Sequence, residues 1–394
     1  LNHKAHILVL PSWYPRYKGD VVGSFFREQA IALSKYGHQV GVIFPEINSL
    51  KKIFNFNVWS QQIEKDDDVI NTYRYRFFNM APKCRTLSIK SYLQKGEALY
   101  QHYVKTHGKP DIIHVHSLLN AGVLAHYLSG KYDIPYVVTE HQTAFARGLY
   151  SAEVFAELKP VVSQASKCIA VSNEFKTLLN EQFNTKKWAY IPNIVNDSFF
   201  SSEIPPKKSR SDTLTIINVC FLDKKKRLDV LIKAFSQLNG EYPLTNLVIG
   251  GDGPEKENLI ALAQHLGVAH KVSFLGMLTR EQVKTEMIKA DLFALTSEYE
   301  TFGVVLVEAL ALGKPVLSTR SGGPESIVIE DVGTLVDKND ALAVYQGLKE
   351  MLGQWQRYNA HDIRSYCQKN FSEQAVVRQL TMVYDEILVS EVNE

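Results

Sequence analysis

DLFALTSEYETFGVVLVEALALGKPVLS, residues 291–318, decides the fold. Two short apolar runs, DLFAL (291–295) and KPVLS (314–318), flank a polar loop and a helix-like run. Their apolar residues are consecutive rather than alternating, which predicts strands buried on both faces. A strand, a crossover helix and a second strand make a parallel pair. The middle of the stretch also carries two acids, Glu300 and Glu308. In one continuous helix, at about 100° per residue, eight steps would set them roughly 80° apart, neither stacked nor opposed. The better reading puts Glu300 in the loop after the strand, lets Gly303 open the helix, and sets Glu308 about a turn and a half inside it. The acids then flank the amide-rich start of a helix. That arrangement suits a ligand with an anionic part for the amides and hydroxyls for the acids.

The same alternation runs outward in both directions. The second half holds LTIINV (214–219), NLVIG (246–250), KVSFL (271–275) and GTLV (333–336). The first half holds HILVL (6–10), QVGVIF (39–44), DIIHVH (111–116), PYVVTE (135–140), CIAVS (168–172) and WAYIP (188–192). Helical patterns lie between several of them. In SFFREQAIALSKYG (24–37), Ser24 is read as the cap and Gly37 as the stop. The polar stretch 193–212, with Pro205-Pro206 and a basic run, reads as a linker. The expected fold is α/β: two Rossmann-like, doubly wound parallel-sheet domains facing a cleft, over 1–196 and 197–372. An amphipathic helix over 371–392 can pack on either domain, so 373–394 can return to the first. Residues 45–90 are the least regular; with EKDDDV (64–69) and the basic, aromatic NTYRYRFFNMAPKCR (71–85), they read as a hairpin insertion.

A chain of 394 residues is long for one core and natural for two domains. A formal charge of +2 implies no nucleic acid or other polyelectrolyte partner. No apolar run reaches the roughly 18–20 residues of a membrane span. The opening LNHKAHILVLPSWYP reads as a first strand, not a signal peptide. Cys84, Cys168, Cys220 and Cys367 are far apart and lack zinc spacing, as expected of reduced thiols in a cytoplasmic protein.

Other candidate sites each admit two readings. Gly23 and Ser24 can approach an anion at a helix start or form an ordinary loop; no G-x-G-x-x-G is present to support a nicotinamide cofactor. Gly250, Gly251 and Gly253 allow close backbone approach, to a ligand or to neighbouring chain. Lys224, Lys225, Lys226 and Arg227 lie between a strand end and a helix, where they neutralise a diphosphate or form a solvated charge run. His141 follows a strand end, where it can donate to a sugar hydroxyl, move a proton or serve its own loop. His114 and His116 read as structural. The aspartates at 66–68 contain a D-x-D, a pattern that can hold a divalent metal, but their polar surroundings favour a solvated loop. Gly322, Gly323 and Pro324 read as a structural helix start.

These motifs together resemble the retaining glycosyltransferases of family four, which have the GT-B fold. SEYETFGVVLVEAL carries the spaced acid pair. IPN (191–193), KKRLDVLIKAF (225–235), GDGP (251–254), KVSFLG (271–276) and SGGPESI (321–327) fall in the family's order, and PSWYP…GSFFREQA is similar to bacterial members that build surface polysaccharides. The resemblance covers essentially the whole chain and implies roles by position. Glu308 would bind the ribose of a sugar nucleotide. Glu300 would hold the donor sugar, with amides around Phe302, Gly303, Val304 and Val305 meeting sugar and phosphate. Lys226, with Lys225 or Lys224, would bind the diphosphate. Gly251 belongs to the same donor set, backbone near Met277 would meet the base, and His141 would contact the donor sugar. Gly23 and Ser24 would form the acceptor domain's glycine loop. Phe221 stands where the family often has a phosphate-binding arginine, which leaves the lysines as the substitute.

The implied activity is transfer of a hexose from a nucleoside diphosphate sugar, UDP-linked rather than GDP-linked, to a hydroxyl of a glycan or lipid-linked acceptor. Anomeric configuration would be retained, without cofactor or metal. Bacterial polysaccharide synthesis in the cytoplasm, at the inner membrane face, would be the setting, and 71–96 could supply a peripheral membrane contact. Two rivals stand: a sugar-nucleotide epimerase or hydrolase on the same fold, and a non-catalytic two-domain sugar-binding protein.

Overall fold

The computed structural model describes residues 4–17, 20, 22–49, 63–67, 69–209 and 212–392, with backbone alone at 66, 67, 391 and 392. Asp68 and the side chains of Asp66 and Asp67, hence the D-x-D, lie outside this description. The chain divides into two compact units. One comprises residues up to Val171, Lys176–Ile191 and the segment from Val376 onward; the other comprises Ser172–Phe175 and Pro192–Ala375.

The first unit holds strands β1 (His6–Pro11), β2 (Gln39–Asn48), β3 (Ile63–Asp67), β4 (Asn71–Phe78), β5 (Ile112–His116), β6 (Tyr136–Glu140), β7 (Lys167–Ala170) and β8 (Trp188–Tyr190). They form one sheet in the order β3-β4-β2-β1-β5-β6-β7-β8. All neighbours are parallel except β3 and β4. β1 is buried along its whole length, as its continuous apolar run requires. The hairpin is present, since β3 and β4 pair antiparallel, but it is no insertion: β4 pairs in parallel with β2 from Asn71 to Phe78, and a helix begins at Arg85. Arg74, in β4, is completely buried. Its guanidinium lies 2.6 Å from the Glu46 carboxylate of β2. Tyr73 and Phe77 are buried with it, so this part of 71–96 is interior rather than a membrane-facing surface.

The helix Glu373–Val392 packs on this first unit. The Tyr384 hydroxyl is 2.6 Å from His114 Nδ1 on β5. Thr381 Oγ1 is 2.9 Å from His38 Nε2. Ser24 does not cap its helix: it is the first helical residue, and Gly23, in the left-handed region at φ 73°, occupies the cap position.

The second unit holds β9 (Leu214–Val219), β10 (Thr245–Gly250), β11 (Val272–Gly276), β12 (Leu292–Leu295), β13 (Val316–Thr319) and β14 (Gly333–Val336). Their order is β11-β10-β9-β12-β13-β14, entirely parallel. The strand order reverses beside β9, and loops after β9 and β12 leave the sheet there at its carboxyl edge, the customary ligand position of such sheets. The expected linker is not free chain: Val195 N donates to Phe371 O at 2.8 Å, and Asp197–Phe200 is helical.

Candidate active site

In the second unit the loop after β12 is stapled to the turn after β9. Thr296 Oγ1 donates to the carbonyls of Lys226 (3.2 Å) and Arg227 (3.1 Å), and Glu298 N donates to Lys225 O at 2.8 Å. Thr319 Oγ1 of β13 ties in Ser297 O at 2.6 Å. These bonds satisfy buried backbone that leaves a strand without a ladder partner. They also bring Glu300 to Lys226, and the two side chains form an ion pair. Glu300 is held further by Ser297 Oγ (2.9 Å) and by its own amide, which donates to Ser321 O at 3.0 Å. Burial acts against the Lys226 ammonium, but the Glu300 carboxylate, with Cys220 and Asp223 around it, more than offsets that and raises its pKa. Burial pushes the neighbouring Cys220 thiol up to about 12, so it is protonated and inert.

Gly303 then turns the chain into the helix Val304–Ala311 with φ 101° and ψ 62°, a conformation that favours glycine. The first amides of that helix, at Val304 and Val305, lie beside Phe302, whose ring is buried against Phe371. Glu308 is fully buried in this otherwise apolar helix. A carboxylate there would cost several kcal/mol if uncompensated. Arg280 compensates it with a guanidinium ion pair to Glu308 Oε1. Arg280 opens the helix that follows β11, fixed by a capping box between Thr279 and Gln282. The sequence reading missed this arginine. Its signal was the T-R-E-Q box directly after KVSFLG, which places Arg280 in the first turn at a strand's carboxyl end.

Gly251 is explained by chain packing. A Cβ there would lie 1.8 Å from Cys220 O, and its φ is 125°. It also bridges to Gly276, so Met277, itself exposed, stands next to it. Lys225 turns towards Asp223, with Nζ 3.6 Å from its carboxylate. Phe221 is 57 % exposed at the same strand end.

In the first unit, Glu140 at the end of β6 is fully buried. Its carboxylate accepts from the amides of His141 (2.7 Å), Gln142 (2.8 Å) and Leu118 (2.7 Å). Burial raises its pKa and those three amides oppose the rise. His141 is thereby fixed at the strand end, with Nε2 3.1 Å from His116 Nδ1. His116 stacks between His114 (4.5 Å) and Phe26 (4.7 Å). Phe25 and Phe26, one and two positions beyond Ser24, both pack on His141. The Gly23 turn, Ser24 and His141 are therefore grouped through this helix start. Burial, then the neighbouring His114, lowers the His141 pKa to about 3. The ring is neutral near pH 7, fit to donate or accept a hydrogen bond rather than to cycle a proton.

Among the described residues no group of three or more His, Cys, Asp or Glu is arranged to hold a metal ion. Among the same described residues no helix is long and apolar enough to cross a membrane.

The chain matches two family models: one described as Glycosyltransferase Family 4 over residues 22–199, and one as Glycosyl transferases group 1 over 200–370. It is 31 % identical over 173 residues to the phosphatidylinositol N-acetylglucosaminyltransferase gpi3 subunit of Schizosaccharomyces pombe, a match spanning 43 % of this chain and 38 % of that protein's length. It is 27 % identical over 299 residues to the N-acetyl-alpha-D-glucosaminyl L-malate synthase of Bacillus anthracis, covering 72 % of this chain and 76 % of that one. Among solved structures it is similar to Anabaena Alr3699/HepE in complex with UDP, with a TM-score of 0.71 at 19 % identity over 97 % of this chain and 100 % of that one. The two family matches run almost end to end across both units, and with the two parallel-sheet units they make the chain a member of glycosyltransferase family 4 with the GT-B fold.

Proposed function

We propose that the protein transfers a hexose from a nucleoside diphosphate sugar, a UDP-sugar, to a hydroxyl of a glycan or lipid-linked acceptor. The observation that carries this reading is the Lys226–Glu300 ion pair beside the open amides of the Gly303 helix start. It puts one cation, one carboxylate and backbone donors at a single strand edge. Glu308 takes the ribose hydroxyls, and backbone at Gly251 and Met277 meets the base. Glu300 accepts from hydroxyls of the donor sugar. Lys226, Lys225 and the amides of Phe302 to Val305 bind the diphosphate. His141 donates to the donor sugar, and the Gly23–Ser24 turn belongs to the acceptor side.

Breaking the anomeric C–O bond moves an electron pair onto the leaving phosphate oxygen. Once the donor has inserted beside Glu300, Lys226 and the helix-start amides stabilise that charge as it develops. The leaving phosphate accepts the acceptor hydroxyl's proton on the same face, which retains anomeric configuration and requires no metal. We place the activity in the cytoplasm in bacterial surface-polysaccharide synthesis, and the similarity to HepE in complex with UDP supports UDP over GDP.

The test is thermal unfolding with UDP, GDP, ADP, CMP and NAD on wild type and Glu308→Gln. Binding to the folded state raises Tm by mass action. UDP should stabilise wild type and fail on the variant. Stabilisation by NAD alone would overturn the reading. The anomeric coupling in the product's NMR spectrum, with and without EDTA, tests retention and metal independence.

A further inference from the structure

The second unit carries another cavity, at the amino edge of its sheet, where Asp291 leads into β12 and Lys314 leads into β13. Its volume is about 310 Å³. It lies at the opposite end of the strands from Glu300 and Lys226, and nothing in the proposed transfer uses it. Four lysines line it, Lys207, Lys208, Lys289 and Lys314, against one carboxylate, Asp291; Lys289 is already neutralised by Glu286 at 2.6 Å, which leaves the other three. The Asp291 carboxylate is already engaged twice, by Lys208 Nζ (2.8 Å) and by Thr215 N (2.8 Å). Lys314 is 8 % exposed, and its ammonium donates to Ile288 O at 2.8 Å. Lys207 donates to Tyr358 O at 2.6 Å and lies 5.5 Å from the centre of the Trp355 ring. An ammonium has three donors, and a single carbonyl neutralises no charge. Behind Lys314, Arg364 holds a buried Nη2 with no hydrogen-bond partner among the described residues. Burial lowers the Lys314 pKa to about 8, and Arg364 and Lys208 add to that fall while Asp291 opposes it. Burial lowers the Lys207 pKa as well.

Three ammonium groups facing one carboxylate leave a surplus of two positive charges in a cleft walled by Trp355 and Pro315. A phosphate monoester carries about −1.5 to −2 at neutral pH and offers three acceptor oxygens. A cavity of this size accommodates it together with a compact organic body. We propose that this cavity is a second ligand site, for a soluble phosphate monoester of a small sugar or polyol, with Lys207, Lys208 and Lys314 as its anion contacts. The bland alternative is that Lys314 merely caps the helix Arg280–Lys289, whose penultimate carbonyl it holds.

The experiment titrates the full chain with glucose 6-phosphate, glucose and inorganic phosphate, followed by thermal shift and calorimetry. Glucose 6-phosphate should raise Tm and glucose should not. Lys207→Met and Lys314→Met should each weaken binding about tenfold or more, the effect of removing one charge-assisted hydrogen bond. Both should leave the UDP-induced shift unchanged. In ¹³C-lysine-labelled protein, the Lys314 side-chain signal should titrate at higher pH once glucose 6-phosphate is bound, which a helix-capping role would not produce. No response to glucose 6-phosphate at millimolar concentration would overturn the proposal. So would a response that survives in both variants, or Lys314-dependent binding only to vesicles containing phosphatidic acid. Should Lys314→Met not fold, the more accessible Lys207→Met decides.

Discussion

The Lys226 ammonium and the Glu300 carboxylate, 74 residues apart in sequence, form an ion pair at the carboxyl edge of the second sheet. The pair holds both side chains in place where water has limited access, and it favours the charged form of Lys226. A donor that inserts between them finds its cation and its carboxylate already oriented, and exchanges one set of charge contacts for another.

Glu300→Gln retains the shape and the bond from Ser297 but removes the charge. Turnover should fall about 10²- to 10³-fold, the range for loss of one preorganised polar group. Melting temperature should fall as well, because the Lys226 ammonium, with only 16 % of its side chain exposed, loses its partner. A kinetic assay with a UDP-sugar beside a melting curve separates the two effects, and undiminished turnover would remove Glu300 from the site.

Arg280→Met takes the guanidinium away from Glu308, whose carboxylate sits inside an apolar helix. Loss of one partner of a buried pair costs about 3–5 kcal/mol. Arg280 is 28 % exposed, which places the expected loss at the low end, about 3 kcal/mol or less. Urea unfolding reads it directly. UDP affinity should fall as well, because Glu308 loses the charge that orients it.

Gly251→Ala should destabilise the second unit by more than about 2 kcal/mol, since a Cβ cannot sit 1.8 Å from the Cys220 carbonyl and φ is 125°. The loop carrying Phe221 and Leu222 must shift, so UDP affinity measured by calorimetry should weaken without any lost side-chain contact.

Acid should destabilise the first unit through its histidines. Burial lowers His114 and His141 to about 3 and takes His116 well below its ordinary value. The unfolded chain therefore binds more protons than the folded one once pH falls below about 6.5. The stability these groups contribute is present above that pH and is lost as pH drops towards 3. Each neutral buried histidine costs about 1.4 kcal/mol per pH unit in that window. His141→Gln should flatten the fall of Tm between pH 7 and pH 5. An unchanged slope would mean that the imidazole is protonated in the folded state.

The two sheets were legible because their strands are consecutive apolar runs such as HILVL, LTIINV and GTLV, and a strand buried on both faces needs that pattern. β4 escaped the reading because Arg74 and Arg76 interrupt it. Arg74 is tolerated inside through Glu46, 28 residues earlier, and the Pro15 carbonyl, 59 residues earlier, and no local window contains these partners. Ser24 was taken for a cap because its side chain suits one, whereas the sharp turn needed a left-handed residue and used Gly23. Glu300 and Lys226 were each visible at a strand end. Their pairing was not, because it depends on the register between β9 and β12. Arg280 lay in a readable capping box, but its target sits in another crossover. The grouping of His114, His116 and His141 comes from adjacent strands, so it became visible only with the sheet order.

The helix that supplies Tyr384 and Thr381 gives this architecture an order of assembly. During synthesis, β1 to β8 are complete long before residues 376–392 leave the ribosome, and the main segment of the second unit, Pro192–Ala375, is made in between. Until then His114 Nδ1 lacks the Tyr384 hydroxyl and His38 Nε2 lacks the Thr381 hydroxyl. The first unit therefore starts to be made before the second and is finished after it. A nascent chain stalled anywhere in the second unit would hold a first unit that has its sheet but not its clasp.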